Sequence, residues 1–565
     1  LECANDNVCG WTGDKAPLVC KNKGSAAGKS GREGEENPVT LETIDIVIIA
    51  GYAIALLGIA LFVSREPKGH DKNTEDYFLA GRALPWWAIG ASLIASNISA
   101  EQIIGQSGQG YAVGIAIAAY EWQAAIVLII VAKYFLPIFL KRKIYTMPQF
   151  LDQRYGHGVK TLMSFFWVAL YTAVNLTTVL WLGGLAVTSL TGWSVMTAMA
   201  ALAGFAALYS LYGGLKAVAL TDIIQVVILI LGGFAITWIA LDALPAKGAL
   251  GGLGLLWQEM PGHFEMILDE SNPAYSDLPG IWTLLGGLWV LHFSYWGFNQ
   301  YIIQRALGAE NLGEAQRGLA FAAFLKILVP FIVVIPGIAA VILAQQGMLD
   351  GTALAEKSDR TYGELMSFAP AGLRGLVFAA LIAAVVSSLA SMMNSISTIF
   401  TMDLYRSWKP DMGEHHYVTV GRVSAFSAMI VALFLARPFI GGFESGFQTV
   451  QEYTGFIAPG IVVVFLLGFF DKKMNAVGAF TALLGSLAVN VMLKFGMPDV
   501  PFIIRIWGVF MLSIVAAAVV SRMTTPPEEE QTVKLGDIAF ATTMLFNTLA
   551  MLTVAILIGL YVILW

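Results

Sequence analysis

Three ionisable side chains sit inside apolar runs, where an unbonded charge is costly. Glu121 lies within Ala119-Tyr120-Glu121-Trp122-Gln123, Asp222 within Leu220-Thr221-Asp222-Ile223-Ile224, and Lys326 within Phe324-Leu325-Lys326-Ile327. Charges held away from water pair with one another, recognise polar ligands or line ion paths. Lys326, apolar on both sides, suits recognition of a polar ligand, with a structural salt bridge or a snorkelling amine as the alternative. Glu101, Lys133, Glu444 and Glu452 are similar groups nearer the segment ends. Two polar clusters accompany them. One is Ser92, Ser96, Asn97, Ser99, Glu101, Gln102 and Gln106; the other is His292, Ser294, Asn299 and Gln300, beside Gly286, Gly287 and Gly297. A third pattern, Ala384, Ser387, Ser388, Ser391, Asn394, Ser395 and Thr398, recurs at spacings of three and four, which is one stripe of a helix. Small hydroxyls in a stripe suit close helix packing. Together with carbonyls of unwound backbone they also suit sodium, a hard cation that takes oxygen ligands and is held weakly enough by neutral ones to be released.

The elements that must position these groups are membrane helices. Of 565 residues, 57% are hydrophobic and 13% charged, the mean hydropathy is +0.70, and 57 glycines allow close backbone approach. This excludes a soluble enzyme, a disordered scaffold and a disulfide-rich secreted domain. A formal net charge of −6 argues against a nucleic-acid partner. Stretches long enough to cross a hydrocarbon core of about 30 Å occur at 43–64, 84–112, 114–140, 159–190, 193–213, 217–243, 280–304, 318–345, 371–402, 417–440, 445–470, 475–495, 501–521 and 537–565. The expected architecture is all-α, with about fourteen transmembrane helices.

With the N-terminal tail outside, the loops near 65–82, 141–160, 216, 305–317, 406–409, 472–473 and 522–534 are cytoplasmic. They hold 18 Lys and Arg against six in the opposite loops. That bias predicts both termini outside, although five basic residues in the tail run against it. The polar clusters of the second and seventh stretches fall five segments apart. Interrupted helices at membrane depth are tolerated only where they line a cavity. Such a pair predicts two five-helix repeats, each opening with a broken helix, and a binding site between them.

Other features carry less. Cys3, Cys9 and Cys20 fall in the polar tail, so one would stay unpaired if two were bridged. Gly24-Ser25-Ala26-Ala27-Gly28-Lys29-Ser30 is one residue short of a phosphate-binding loop and follows no strand. His70, His157, His263, His292, His415 and His416 include no metal-spaced pair, and no nucleophile-elbow pattern occurs. A membrane-embedded enzyme is thereby disfavoured; a channel or sensor would be raised by absence of sodium-driven accumulation.

The stretch Gly90-Ala91-Ser92-Leu93-Ile94-Ala95-Ser96-Asn97-Ile98-Ser99-Ala100-Glu101-Gln102 resembles the first core helix of the solute:sodium symporter family. Gly213–Gln225, Tyr295–Gln300, Val386–Ser391 and Gln448–Gly455 extend the resemblance, which runs over residues 43–565 and is strongest to the bacterial sodium/sugar members. It implies a LeuT-like core of two inverted five-helix repeats. The expected organisation is a polar tail at 1–42, a peripheral helix at 43–64, repeats at 84–243 and 280–470, and three peripheral helices at 475–565. The implied sodium ligands are the backbone of Ala95, Ile98 and Ala384 and the hydroxyls of Ser387 and Ser388, with Asp222 on the ion's exit path. The implied sugar ligands are Gln102, Glu121, Asn175, Lys326 and Gln451, with Asn97 and Ser99 holding the unwound backbone. Tyr295, beside Trp296, is implied as the inner cap on the sugar, and Tyr120 and Phe447 as the outer gate.

Ala124, His292 and Gln106 stand where that pattern has a serine, an asparagine and a methionine. His292 is kept among the substrate-binding candidates. The expected activity is sodium-driven uptake of a hexose such as galactose or glucose by alternating access, in a multi-pass protein of the cell membrane, a bacterial inner membrane by this resemblance. The alternatives are the same machine carrying an inositol, a sialic acid or an amino acid. An anionic solute would call for an arginine in the broken segments, where Lys326 is the one basic candidate at this stage.

Overall fold

A computed structural model describes residues 41–63, 65, 73–440 and 446–565, with the side chains of 439 and 440 left aside. The cysteines, the loop-like Gly24–Ser30 stretch, His70 and Glu444 lie outside the described residues. Within them the chain is helical, with one isolated bridge between Leu84 and Ala309. Among the described residues, eleven helices are long and apolar enough to cross a membrane. One of these, Val195–Asp242, covers two of the stretches read from the sequence. It turns at Gly214, where φ +64 and ψ −159 is a backbone region that a side chain would forbid. A Cβ there would also meet the Tyr77 carbonyl at 2.5 Å.

The second and seventh stretches are interrupted, as expected. Helix α1, Trp86–Asn97, ends because Ile98 turns extended (φ −73, ψ 94), and a wider π-type turn, Glu101–Gly105, leads into α2, Gln106–Ala112. The freed backbone is satisfied locally. The Ser99 hydroxyl accepts from the Glu101 N–H at 3.0 Å, and Gln102 Oε1 accepts from the Ser99 N–H at 3.0 Å. In the seventh stretch, α3, Gly287–His292, passes through the π-type turn Phe293–Gly297 to extended Asn299, whose side chain accepts from Tyr301 N and starts α4, Gln300–Leu307. Tyr171 locks this second break: its hydroxyl donates to Asn299 Oδ1 at 2.6 Å and accepts from Gln300 N at 3.0 Å.

The broken segments are buried by tight neighbours. A Cβ on Gly90 of α1 would lie 2.8 Å from the Gly318 carbonyl of α5, Leu312–Lys326. The helix carrying the hydroxyl stripe, α6, Leu373–Ile399, belongs to a span whose most apolar stretch is 89% buried, against 17% for Thr43–Val63 and 22% for Met544–Ile563. The loops assigned to one side of the membrane also meet in space. Leu84 N donates to Gly308 O, Thr74 N to Glu414 Oε2, Arg142 to Thr532 O, and Arg154 to the Gly468 and Asp471 carbonyls.

Candidate functional site

All seven residues expected to bind substrate (Gln102, Glu121, Asn175, His292, Tyr295, Lys326 and Gln451) line one cavity, with Tyr120, Trp296 and Phe447. The breaks in the second and seventh segments bring them together. Tyr120 packs edge-on to Phe447, ring centroids 5.1 Å apart. Tyr295 packs against Trp296 at 5.0 Å. Amides, carboxylates and the Lys326 ammonium share the lining with these aromatic pairs.

The polar groups are largely engaged with each other. Lys326, 1% exposed, forms a buried ion pair with Glu121, 2% exposed, also donates to Asn97 Oδ1, and stands 4.8 Å from the centre of the Trp296 ring. The salt bridge set aside as the alternative reading of Lys326 is therefore present, and it stands within the cavity itself. Asn97 departs from its expected role. Its Nδ2 donates to the Tyr295 hydroxyl at 3.0 Å and its Oδ1 accepts from Lys326, so it ties the cavity together while Ser99 and Gln102 hold the unwound backbone. The cavity is also lined by Glu101, Gln106 and Asn299. Gln106 Nε2 donates to Glu121 Oε1 at 2.7 Å. Among the residues that line the cavity, Glu101 Oε1, Gln106 Oε1, the Tyr120 hydroxyl, Asn175 Oδ1 and His292 Nε2 are buried without a hydrogen-bond partner. Such atoms cost about 1–3 kcal/mol each when left unbonded, so they favour a ligand able to bond them.

On the other side of the same break lies a ring of hydroxyls. Ala95 and Ile98, at the end of α1, and Ala384, Ser387 and Ser388, on α6, are all fully buried. Ser388 donates to the Ser96 carbonyl at 2.8 Å, joining the two sets directly. Asp222 stands in this ring: it accepts from Ser387 and Ser92 at 2.5 Å each and from Ser96 at 3.3 Å. Ser96 and Ser391 share a hydrogen bond of 2.9 Å.

The carboxylate is balanced by a residue that sequence reasoning placed in a cytoplasmic loop. Arg305 is buried on α4, 3.6 Å from Asp222, and donates to the Ser92 hydroxyl at 2.7 Å, to Ser391 and to the Tyr301 carbonyl. The stretch ending at 304 runs on to Leu307. A buried aspartate with no cation assigned to it was the signal that could have found Arg305, since such charges are kept only when paired.

Two broken helices that line one polar cavity, with a hydroxyl ring beside one break, are the arrangement of the LeuT fold. A Na+-coupled sialic acid symporter in a substrate-bound, outward-open state superposes with a TM-score of 0.76 at 21% identity, over 86% of this chain and 99% of that one. The model of the Sodium:solute symporter family matches residues 77–485, and the chain belongs to this family. It is similar to the sodium/glucose cotransporter of Vibrio parahaemolyticus, 49% identical over 93% of this chain and 99% of that protein. It is also similar to sodium/glucose cotransporter 4 of Danio rerio, 32% identical over 89% of this chain and 82% of that protein.

Proposed function

We propose that this chain couples downhill sodium entry to uptake of a hexose, such as glucose or galactose, by alternating access. One observation carries the reading: a single break, at Ile98, has the hydroxyl ring on one side and the polar, aromatic-lined cavity on the other. Sodium, as cargo, takes the Ala95, Ile98 and Ala384 carbonyls and the Ser387 and Ser388 hydroxyls, and Asp222 holds the ion's exit path. The sugar takes Gln102, Glu121, Asn175, His292, Lys326 and Gln451 along its rim, with Tyr295 and Trp296 capping one face and Tyr120 and Phe447 closing the other. A pyranose suits this set because its hydroxyls both donate and accept while its ring face is apolar.

Sodium steadies the unwound backbone at 98–99, which shapes the sugar site next to it. Opening alternates between the two ends without a chemical step, so the chain is not an enzyme. Repeats at 84–243 and 280–470 rock against each other; the helices at 43–64 and 475–565 face lipid. Both termini lie outside a bacterial inner membrane, and nucleic acid plays no part. The sodium/glucose names of the similar proteins support a hexose as the cargo. Uptake of a labelled panel of hexoses, inositol and sialic acid into proteoliposomes, with and without an inward sodium gradient, tests this. Accumulation of a hexose that collapses without sodium is expected; gradient-independent equilibration, or accumulation of another solute alone, would overturn it.

A further inference from the structure

Gln106 and His292, two of the three departures from the resembled pattern, both line the cavity, His292 against Tyr120 and Gln106 against the adjacent Glu121. The inference drawn from them rests on the hexose reading. Gln106 is fully buried. Its amide lies against Glu121 Oε1, an atom of a carboxylate that also receives Lys326. An ionised carboxylate only accepts, so the amide nitrogen must face it and the Gln106 carbonyl oxygen must point elsewhere. That oxygen is buried and unbonded.

His292 is 5% exposed and its ring stands edge-on to Tyr120, centroids 6.3 Å apart. The Ala119 backbone interacts with the ring, and we assign the ring proton to the nitrogen facing it, Nδ1. In a neutral imidazole Nε2 is then a lone-pair acceptor, and it too is buried without a partner. The nearest cation does not serve either atom, because Lys326 is engaged with Glu121 and Asn97.

We propose that Gln106 Oε1 and His292 Nε2 are specificity-determining acceptors, which require the solute to present donating hydroxyls to the part of the cavity lined by Tyr120 and Phe447. The chain thereby selects free hexoses over derivatives that fill the same space without a proton to give. An asparagine at 292 could turn either face of its amide to the solute, and a methionine at 106 would offer only a weakly accepting thioether, so these two residues narrow the choice. A site built around buried acceptors rejects an analogue that leaves them unbonded far more strongly than an apolar pocket rejects a missing methylene.

The test is competition by mono-deoxy, mono-fluoro and mono-O-methyl forms of the transported hexose against its sodium-driven uptake in proteoliposomes. Fluorine keeps the size and some accepting capacity of a hydroxyl but cannot donate. In the parent protein, the fluoro and O-methyl forms at one or two ring positions should compete roughly tenfold or more weakly than the free sugar. In Gln106→Leu and in His292→Leu the penalty at one such position should fall to within about twofold. His292→Gln, which restores an acceptor, should bring it back. Sodium-dependent thermal stabilisation identifies the variants that fold. If one does not, the parent's own fluoro series still decides: tolerance of fluorine at every position overturns the proposal. So does an unchanged penalty in both folded leucine variants. If no hexose accumulates with sodium in the parent, the transport reading fails first and takes this inference with it; if hexoses accumulate but the penalties do not move, this inference alone falls.

Discussion

Replacing Glu121 by glutamine keeps the size of the side chain and removes its charge. The consequence follows from its surroundings. Glu121 and Lys326 are 2% and 1% exposed and pair directly, with Gln106 bonded to the other carboxylate oxygen. Removing one partner of a buried pair leaves an uncompensated charge and costs about 3–5 kcal/mol. Here the Asn97 carbonyl, the Trp296 face and the new amide oxygen still attend the ammonium, so we expect a loss near the lower end, about 3 kcal/mol. Thermal unfolding in detergent should show this as a lowered midpoint for Glu121→Gln. The double variant Glu121→Gln/Lys326→Met, which removes both charges, should recover much of the loss, because contacting residues do not add independently. Sugar affinity of Glu121→Gln should fall roughly tenfold or more, since hydrogen bonds to charged groups are worth about 1.5–3 kcal/mol. Sodium-induced stabilisation without sugar should persist, because the hydroxyl ring does not include this pair. A single variant as stable as the parent, or one with parental affinity for every sugar tested, would refute the reasoning.

Three further outcomes are expected. Ser388→Ala deletes a hydroxyl that bonds the Ser96 carbonyl and should raise the sodium concentration for half-maximal uptake several-fold at normal expression; an unchanged value would remove Ser388 from the ion's ligands. Arg305→Gln strands Asp222 without its cation and should lower the unfolding midpoint by the equivalent of about 3–5 kcal/mol, with partial recovery in Arg305→Gln/Asp222→Asn; no recovery would mean that the pair is incidental. Asp359, in the loop Ser358–Arg360, accepts from the Gly446 N–H at 2.9 Å, and burial pushes its carboxyl up to about 6. A carboxyl whose folded pKa is raised binds protons more readily in the folded state, so stability should fall as pH rises from about 4 to 6 and level off above. Asp359→Asn should flatten that slope in unfolding midpoints measured across pH 4–8; an equal slope in both proteins would discount the residue.

Most of the architecture was legible because membrane helices announce themselves by composition. The two breaks were legible too, since Ser96-Asn97-Ile98-Ser99 and Gly297-Phe298-Asn299-Gln300 put polar side chains where lipid would penalise them. What the residues alone could not supply was pairing. Glu121 and Lys326 are far apart in the chain, and either could have stood free in the cavity. Arg305 was misplaced because a span was ended at Gln304, three residues before the helix ends at Leu307, at a boundary where helix and loop differ little in hydropathy. Asn97 was assigned to backbone support on resemblance, but its position as the last residue of α1 points it at Tyr295 and Lys326 instead. The pair of spans read on either side of Lys216 is two helices joined by a kink at Gly214, a residue whose backbone conformation only glycine adopts readily.

Ser96 and Asn97 are neighbours in the chain. The carbonyl of the first receives Ser388, and the side chain of the second holds Tyr295 and Lys326. If the two cargoes sit where we propose, the linkage between them spans one peptide bond, and the thermodynamic cycle closes across it. Whatever factor bound sodium adds to sugar affinity, bound sugar must return to sodium affinity. A planar peptide with its dihedrals fixed on either side has little slack, so a rotation imposed at Ser96 arrives at Asn97 almost undiminished. The accumulation ratio such a machine can sustain is then limited less by losses along the linkage than by leak, the rate at which either cargo crosses alone. Loosening this one joint would uncouple the machine, and because the Ser96 hydroxyl and the Asn97 amide belong to the two sites themselves, the joint and the sites are built from the same two residues.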